Sequence, residues 1–319
     1  MAAAPASSAA PTSAPEAHPD RLKADLVLLF ASLGWGSTFA LNKFALSLCS
    51  PNLYLALRFG VGTLAAALLA RRSLKDLPSL KAGFLLGLCL WLGFILNTWG
   101  LKYTTATRSG FITGLAVVLV PLLGFLFFRQ RVTLYAWLGA GLAGIGLTVL
   151  AAPALTSGAP RLARGDGWGD AITVASAVAY AFHLLLTGRF ATRVVPFAAV
   201  TAQLAVVAVL SALSIPFEDV QFTPTPALLA TVLFTGILCS AVFLFLQLWA
   251  QARTSAVRAA ILFSLEPIFA ALFAYLLLGD TLTPEVLQGG ALILGGILLV
   301  EIWPRLIRPH HPVPAQPEG

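Results

Sequence analysis

The chain is a succession of apolar runs of about 20 residues, separated by short segments that carry charge, proline or glycine. At 1.5 Å rise per residue, roughly 20 apolar residues in a helix cross a hydrocarbon core of about 30 Å. Read against their polar boundaries, the runs predict ten transmembrane helices, near 25–46, 53–70, 82–101, 108–128, 134–151, 168–188, 197–216, 227–249, 259–278 and 286–303. Inside lipid every backbone N–H and C=O must be satisfied within the chain, and a lone apolar run achieves that only as a helix. The expected fold class is therefore an all-α membrane protein. Residues 1–23, rich in Ala, Pro and Ser and lacking an apolar core, read as a disordered cytosolic tail and not as a cleaved signal, and 304–319 as a second cytosolic tail.

The pattern also repeats. Adding 150 lays Trp99, Thr104, Thr105, Ala106 and Arg108 on Trp249, Thr254, Ser255, Ala256 and Arg258. The same offset pairs Asn97 with Gln247, Thr133 with Thr283, Gly139 with Gly289 and Gly146 with Gly296, while an offset of 145 pairs Trp35 with Tyr180, Thr38 with His183 and Pro51 with Pro196. Five spans per copy is an odd number, so the second copy has to enter the membrane from the opposite side. The expectation is two inverted five-helix repeats, 24–151 and 168–303, joined by a periplasmic linker at 152–167.

Composition agrees with the pattern and charge orients it. Hydrophobic residues make up 58% of the chain and charged ones 10%, against about 25% charged in soluble domains. With the N-terminus inside, 14 Lys and Arg fall in inner segments and 5 in outer ones, with Arg58 inside the second span. The positive-inside rule then places both termini in the cytosol, and the expected location is the inner membrane of a bacterial cell. The net charge of +7 is spread over short loops, with no cluster that could follow a phosphate backbone, so nucleic acid is not an expected partner.

The same survey weighs against an enzyme. The chain contains no GxxxxGK[ST] phosphate loop, GxSxG elbow or HExxH pair, and His310 and His311 stand apart in the tail. Cys49, Cys89 and Cys239 have neither disulfide nor metal spacing. No catalytic residue, cofactor or metal is expected.

Polar residues within apolar spans are costly and should face one another, the backbone or a watery cavity. Trp35, Thr38 and Asn42 fall at i, i+3 and i+7 on one face of the first span; Tyr180, His183 and Thr187 do so on the sixth, and Ser240, Phe243 and Gln247 on the eighth. The offsets relate these stripes to one another. Spans one, three, six and eight thus carry matched polar faces, and the candidates for a substrate cavity are Trp35, Thr38, Asn42, Asn97, Tyr180, His183 and Gln247. The competing reading is interhelical hydrogen bonding for packing alone, worth about 0.6 kcal/mol per bond. Arg58, about five residues from the outer end of its span, is expected to snorkel to the periplasmic surface. Trp99 and Trp249, at span ends, read as interface anchors, and the glycines at 139–146 and 289–296 as close helix contacts.

Glu266 is the acidic residue deepest in a span, roughly 12 Å from its inner end at 1.5 Å per residue. Desolvation favours the neutral form of a carboxyl and water favours the ionised one, which is how a coupling proton site behaves. The alternative for Glu266 and Pro267 is a kink fixed for packing, because proline removes a backbone donor.

Taken together, Trp35-Gly36-Ser37, Arg58-Phe59, Trp99 with Thr104-Thr105-Ala106, and Leu265-Glu266-Pro267 with Leu278-Gly279-Asp280 resemble the EamA-type transporters of the drug/metabolite transporter superfamily over residues 25 to 303. The chain departs from that pattern at Arg129-Gln130, where the family often has an acidic residue, and at Ala116-Val117, opposite Glu266-Pro267. The resemblance implies a ten-helix carrier of small organic molecules (amino acids, metabolites or drugs), often an exporter, with a central cavity between the halves. The expected function is a secondary transporter exporting by alternating access, and Glu266 makes protons the candidate coupling ion. A lipid-handling or non-catalytic assembly protein is the alternative. Oligomeric state is left open.

Overall fold

The computed structural model describes residues 20–104, 106–156, 166–278 and 284–307. Thr105, Gly279 and Asp280, the Arg108 side chain, linker residues 157–165 and both tails up to 19 and from 308 lie outside the described residues. The first half comprises α1 (Arg21–Leu46), α2 (Pro51–Ala70), α3 (Leu77–Tyr103), α4 (Ala106–Gly114), α5 (Ala116–Phe128) and α6 (Leu134–Thr156). The second comprises α7 (Asp166–Phe190), α8 (Pro196–Ser214), α9 (Pro226–Leu233), a π-helix at Phe234–Val242, α10 (Phe243–Gln251), α11 (Ala256–Phe263), α12 (Glu266–Leu278) and α13 (Pro284–Ile307). Among the described residues, eight helical stretches are long and apolar enough to cross a membrane, and two shorter apolar stretches, Leu134–Val149 and Leu287–Leu299, belong to α6 and α13.

Local sequence explains where the helices start. Proline opens α2, α8 and α9, where its missing N–H costs no intrahelical bond. Thr225 and Ser255 cap α9 and α11 by accepting from the N–H groups of Leu228 and Arg258. The N-terminus of α2 is capped from the other half. Glu218 accepts from Asn52 N at 3.0 Å, Leu53 N at 3.1 Å and Ser50 Oγ at 2.8 Å, placing a carboxylate at the positive end of the helix. At the opposite pole of another helix, Lys43 donates to the Leu101 and Thr104 carbonyls at the end of α3.

The most extensive helix pairings, α6 with α13, α3 with α7 and with α8, and α2 with α8, all join one half to the other. Close approach needs small residues. A Cβ on Gly146 would stand 2.6 Å from the Gly289 carbonyl oxygen, and one on Gly296 2.6 Å from that of Gly139, so the backbones of α6 and α13 touch through four symmetry-matched glycines. Gly146→Val is expected to cost about 1–3 kcal/mol by overpacking. Gly141→Ala, where a Cβ meets nothing within 4 Å, should be neutral or up to about 1 kcal/mol stabilising. Thermal unfolding of the two variants in the same detergent compares them.

Both halves contain a broken helix. The α-helical hydrogen-bond ladder is interrupted at Leu115 between α4 and α5, and at Ser264–Leu265 between α11 and α12, where i to i−3 bonds appear while Leu115 and Ser264 keep right-handed helical backbone. The second break precedes Pro267, but the first lies at Ala116-Val117, which has no proline at the matched position. The helix proline of the first half, Pro121, lies further along, inside α5. What they share is contact: a Cβ on Gly114 would lie 2.8 Å from Pro267 Cγ, so the breaks pack against each other across the two halves.

Candidate functional site

At this crossing the molecule holds a cavity of about 120 Å³. From α1 it is lined by Trp35, Thr38 and Asn42, from α3 by Asn97, from α7 by Tyr180 and His183, and from α10 by Gln247. These are the seven candidates named from the sequence, and Glu266 lies on the same wall. Pro267 is buried behind it against Gly114. The first stripe lines this space along its whole length, and the other two line it in part.

Each polar group is held differently. Trp35 Nε1 donates to the Cys239 carbonyl at 2.7 Å, and Thr38 Oγ1 donates back to the Trp35 carbonyl at 2.7 Å. Asn42 Oδ1 accepts from the Tyr54 hydroxyl at 2.7 Å. Asn97 Nδ2 donates to Thr113 Oγ1 at 3.0 Å, whereas its repeat partner Gln247 donates through Nε2 to Gln251 Oε1 at 3.0 Å. His183 Nε2 lies 2.9 Å from Gln203 Oε1. Glu266 has no hydrogen bond or ion pair to its carboxyl among the described residues, and it opens α12 just beyond the break, where the helix N-terminus favours negative charge.

Sequence reasoning missed three features. The first is Arg58. Its side chain does not snorkel: the residue is 1% exposed and lines the cavity. Nε donates to Ser240 Oγ at 3.1 Å and Nη1 to Asn42 Oδ1 at 3.3 Å, while the Phe59 and Phe94 rings stand 5.1 and 5.0 Å from the guanidinium carbon. These acceptors and rings offer inside the bundle what the surface would otherwise supply.

The second is the π-helix. Its wider turns shift the phase of the eighth predicted span, so Cys239, Leu244 and Gln247 face the cavity. Ser240 instead holds Arg58, and Phe243 packs edge-on against Trp35 at 6.2 Å. The other unrealised member of the stripes is Thr187, buried off the cavity.

The third is a bidentate ion pair. Arg258 donates from Nε and Nη2 to the two Asp25 oxygens at 3.0 and 2.8 Å, tying α1 to α11 with both residues buried. The 145 offset carries Asp25 to Asp170, which accepts from Thr104 Oγ1 at 2.9 Å. That carboxylate repeat was available in the sequence as the signal for the pair.

Residues 22–152 and 167–302 each match the EamA-like transporter family. The chain belongs to that family. A protein from Archaeoglobus fulgidus named as an uncharacterized transporter is 31% identical over 282 residues, covering 88% of this chain and 87% of its own. A second such protein from the same organism is 23% identical over 283 residues, covering 88% and 99%. A solved crystal structure, 24% identical, superposes with a TM-score of 0.73 over 90% of this chain and 100% of the other, which shows the same fold. This EamA-like chain is a multi-pass membrane protein with two EamA repeats, and its cavity lies where those repeats meet.

Proposed function

We propose that the protein is a secondary transporter that exports small organic molecules through this cavity by alternating access. The observation that carries the reading is the meeting of two helices with interrupted hydrogen-bond ladders, one per repeat, at a cavity lined by symmetry-matched polar and aromatic side chains. Carriers built from inverted repeats place their substrate sites at such breaks. In this reading α6 and α13 complete ten spans, the repeats at 24–151 and 168–303 are inverted, and 152–167 is periplasmic. Both termini face the cytosol of a bacterial inner membrane. Trp35, Thr38, Asn42, Asn97, Tyr180, His183 and Gln247 contact the solute, aromatic faces giving broad apolar contact while amides and the imidazole orient polar groups. Glu266 exchanges a proton with the cavity as the halves rock.

The Asp25–Arg258 clasp then closes the cytosolic end, and the Asp170 contact its periplasmic counterpart. Two experiments test the reading. Purified protein in liposomes should move at least one solute from a mixed metabolite pool, faster with a pH gradient than without; turnover or lipid movement with no solute flux would reject it. Reporter fusions at residue 160 and at the C-terminus should report opposite sides of the membrane, and two cytosolic reports would remove the inverted topology.

A further inference from the structure

Arg58 places a full positive charge inside the helix bundle, and its neighbours do not neutralise it. Among the described residues no carboxylate comes within ion-pairing distance, the acceptors are the neutral Ser240 Oγ and Asn42 Oδ1, and Nη2 has no acceptor at all. Glu266 lies on the same cavity without forming an ion pair to it. A buried cation left in this state is costly, and Arg carries a planar fork suited to a carboxylate.

The repeat shows that the scaffold does not require the charge. Arg58 lies 145 positions before Gln203, which fills the matched place in the second half with a neutral amide engaged by His183. The surroundings are also specialised. The π-helix that presents Ser240 to Arg58 has no counterpart in α3, where the 150 offset would put it. Such insertions concentrate at functional sites. Phe94, Trp35 and Tyr180 on the adjoining wall offer an aromatic surface to whatever the guanidinium holds.

We infer that Arg58 binds an oxyanion of the solute through Nη2, and that the cavity takes small organic carboxylates with an apolar or aromatic body. This rests on the transporter reading for its physiological sense, but it is tested by binding alone. The probes are matched pairs with one body and two heads: butanoate and butanamide, 3-phenylpropanoate and 3-phenylpropanamide, indole-3-propanoate and its amide. Full-length protein in detergent is titrated with each by calorimetry. For at least one pair the carboxylate should bind about 10-fold tighter or more, the scale of one charge-assisted hydrogen bond. Arg58→Gln should bring the carboxylate down to the level of the amide while amide binding stays as in the wild type, which also shows that the variant is folded. If Arg58→Gln does not accumulate, Arg58→Lys carries the test. It keeps the preference but weakens carboxylate binding, because an ammonium cannot span Ser240, Asn42 and a solute oxygen together.

Equal binding of the two heads by the wild type, a preference that survives in Arg58→Gln, undiminished carboxylate affinity in Arg58→Lys, or no carboxylate binding in the set would each overturn the inference. Flux measured in parallel separates the two claims. A carboxylate preference without flux leaves the anion site standing and removes the transporter reading, whereas flux of a solute without that preference does the reverse.

Discussion

Asp25→Asn is expected to lower the stability of the folded protein by about 3–5 kcal/mol, the scale for removing one partner of a buried pair. Arg258 gives two hydrogen bonds to two carboxylate oxygens, at 3.0 and 2.8 Å, and the side chains are only 8% and 6% exposed. The asparagine retains the shape but removes the negative charge to which both of these hydrogen bonds are made. Lys23 and Asp20, one turn earlier, form a pair with side chains 75% and 37% exposed, where screening leaves little to lose. Asp20→Asn should therefore change stability by less than about 1 kcal/mol. Removing both charges as Asp25→Leu with Arg258→Leu should recover much of the loss, since a buried pair and an apolar replacement are often close in energy. Thermal unfolding in one detergent measures all three, and an Asp25→Asn transition at the wild-type temperature would contradict the assignment.

The other large effect is expected in transport. Glu266→Gln keeps the size of the side chain and removes its ability to exchange a proton. Nothing among the described residues depends on that carboxyl for a hydrogen bond, so the variant should insert and accumulate at wild-type levels. Gradient-driven solute flux should fall to the level seen without a gradient, while solute exchange without a gradient persists. Undiminished gradient-driven flux at equal protein levels would leave Glu266 a part of the helix break only.

The sequence carried the helices and most of the cavity wall, and the reasons differ. Apolar length is a local property, so span edges could be read to within a few residues. On the regular helices the polar stripes carried Trp35, Thr38 and Asn42 of α1 and Tyr180 and His183 of α7 to the same space, though Thr187, one turn further along α7, is buried away from it. The stripe on the eighth span failed at its N-terminal end because a π-helix changes the residues per turn, and its hydrogen bonds are not encoded in hydropathy. Arg58 was misplaced for a related reason. Depth along a helix can be counted, but Ser240, Asn42 and Phe94 come from three other segments, and only tertiary structure brings them to the guanidinium. The break at Leu115 was also missed, since Gly114 before it is one of many glycines in these spans and Val117 stands at the matched position of Pro267.

Access to the cavity from both faces of the membrane is the central claim, and it can be measured at one symmetry-related pair. Asn97→Cys and Gln247→Cys would be placed singly in a chain carrying Cys89→Ser and Cys239→Ser. Cys49 can remain: burial, aided by the Glu218 carboxylate, pushes its thiol up to about 11, so near pH 7 it holds almost no reactive thiolate and the background should stay unlabelled. A membrane-impermeant thiol reagent is then applied to right-side-out and inside-out vesicles, with and without a transported solute. The account predicts that both cysteines are labelled from either side and protected from either side by the solute. Labelling confined to the same single side under every condition would contradict it.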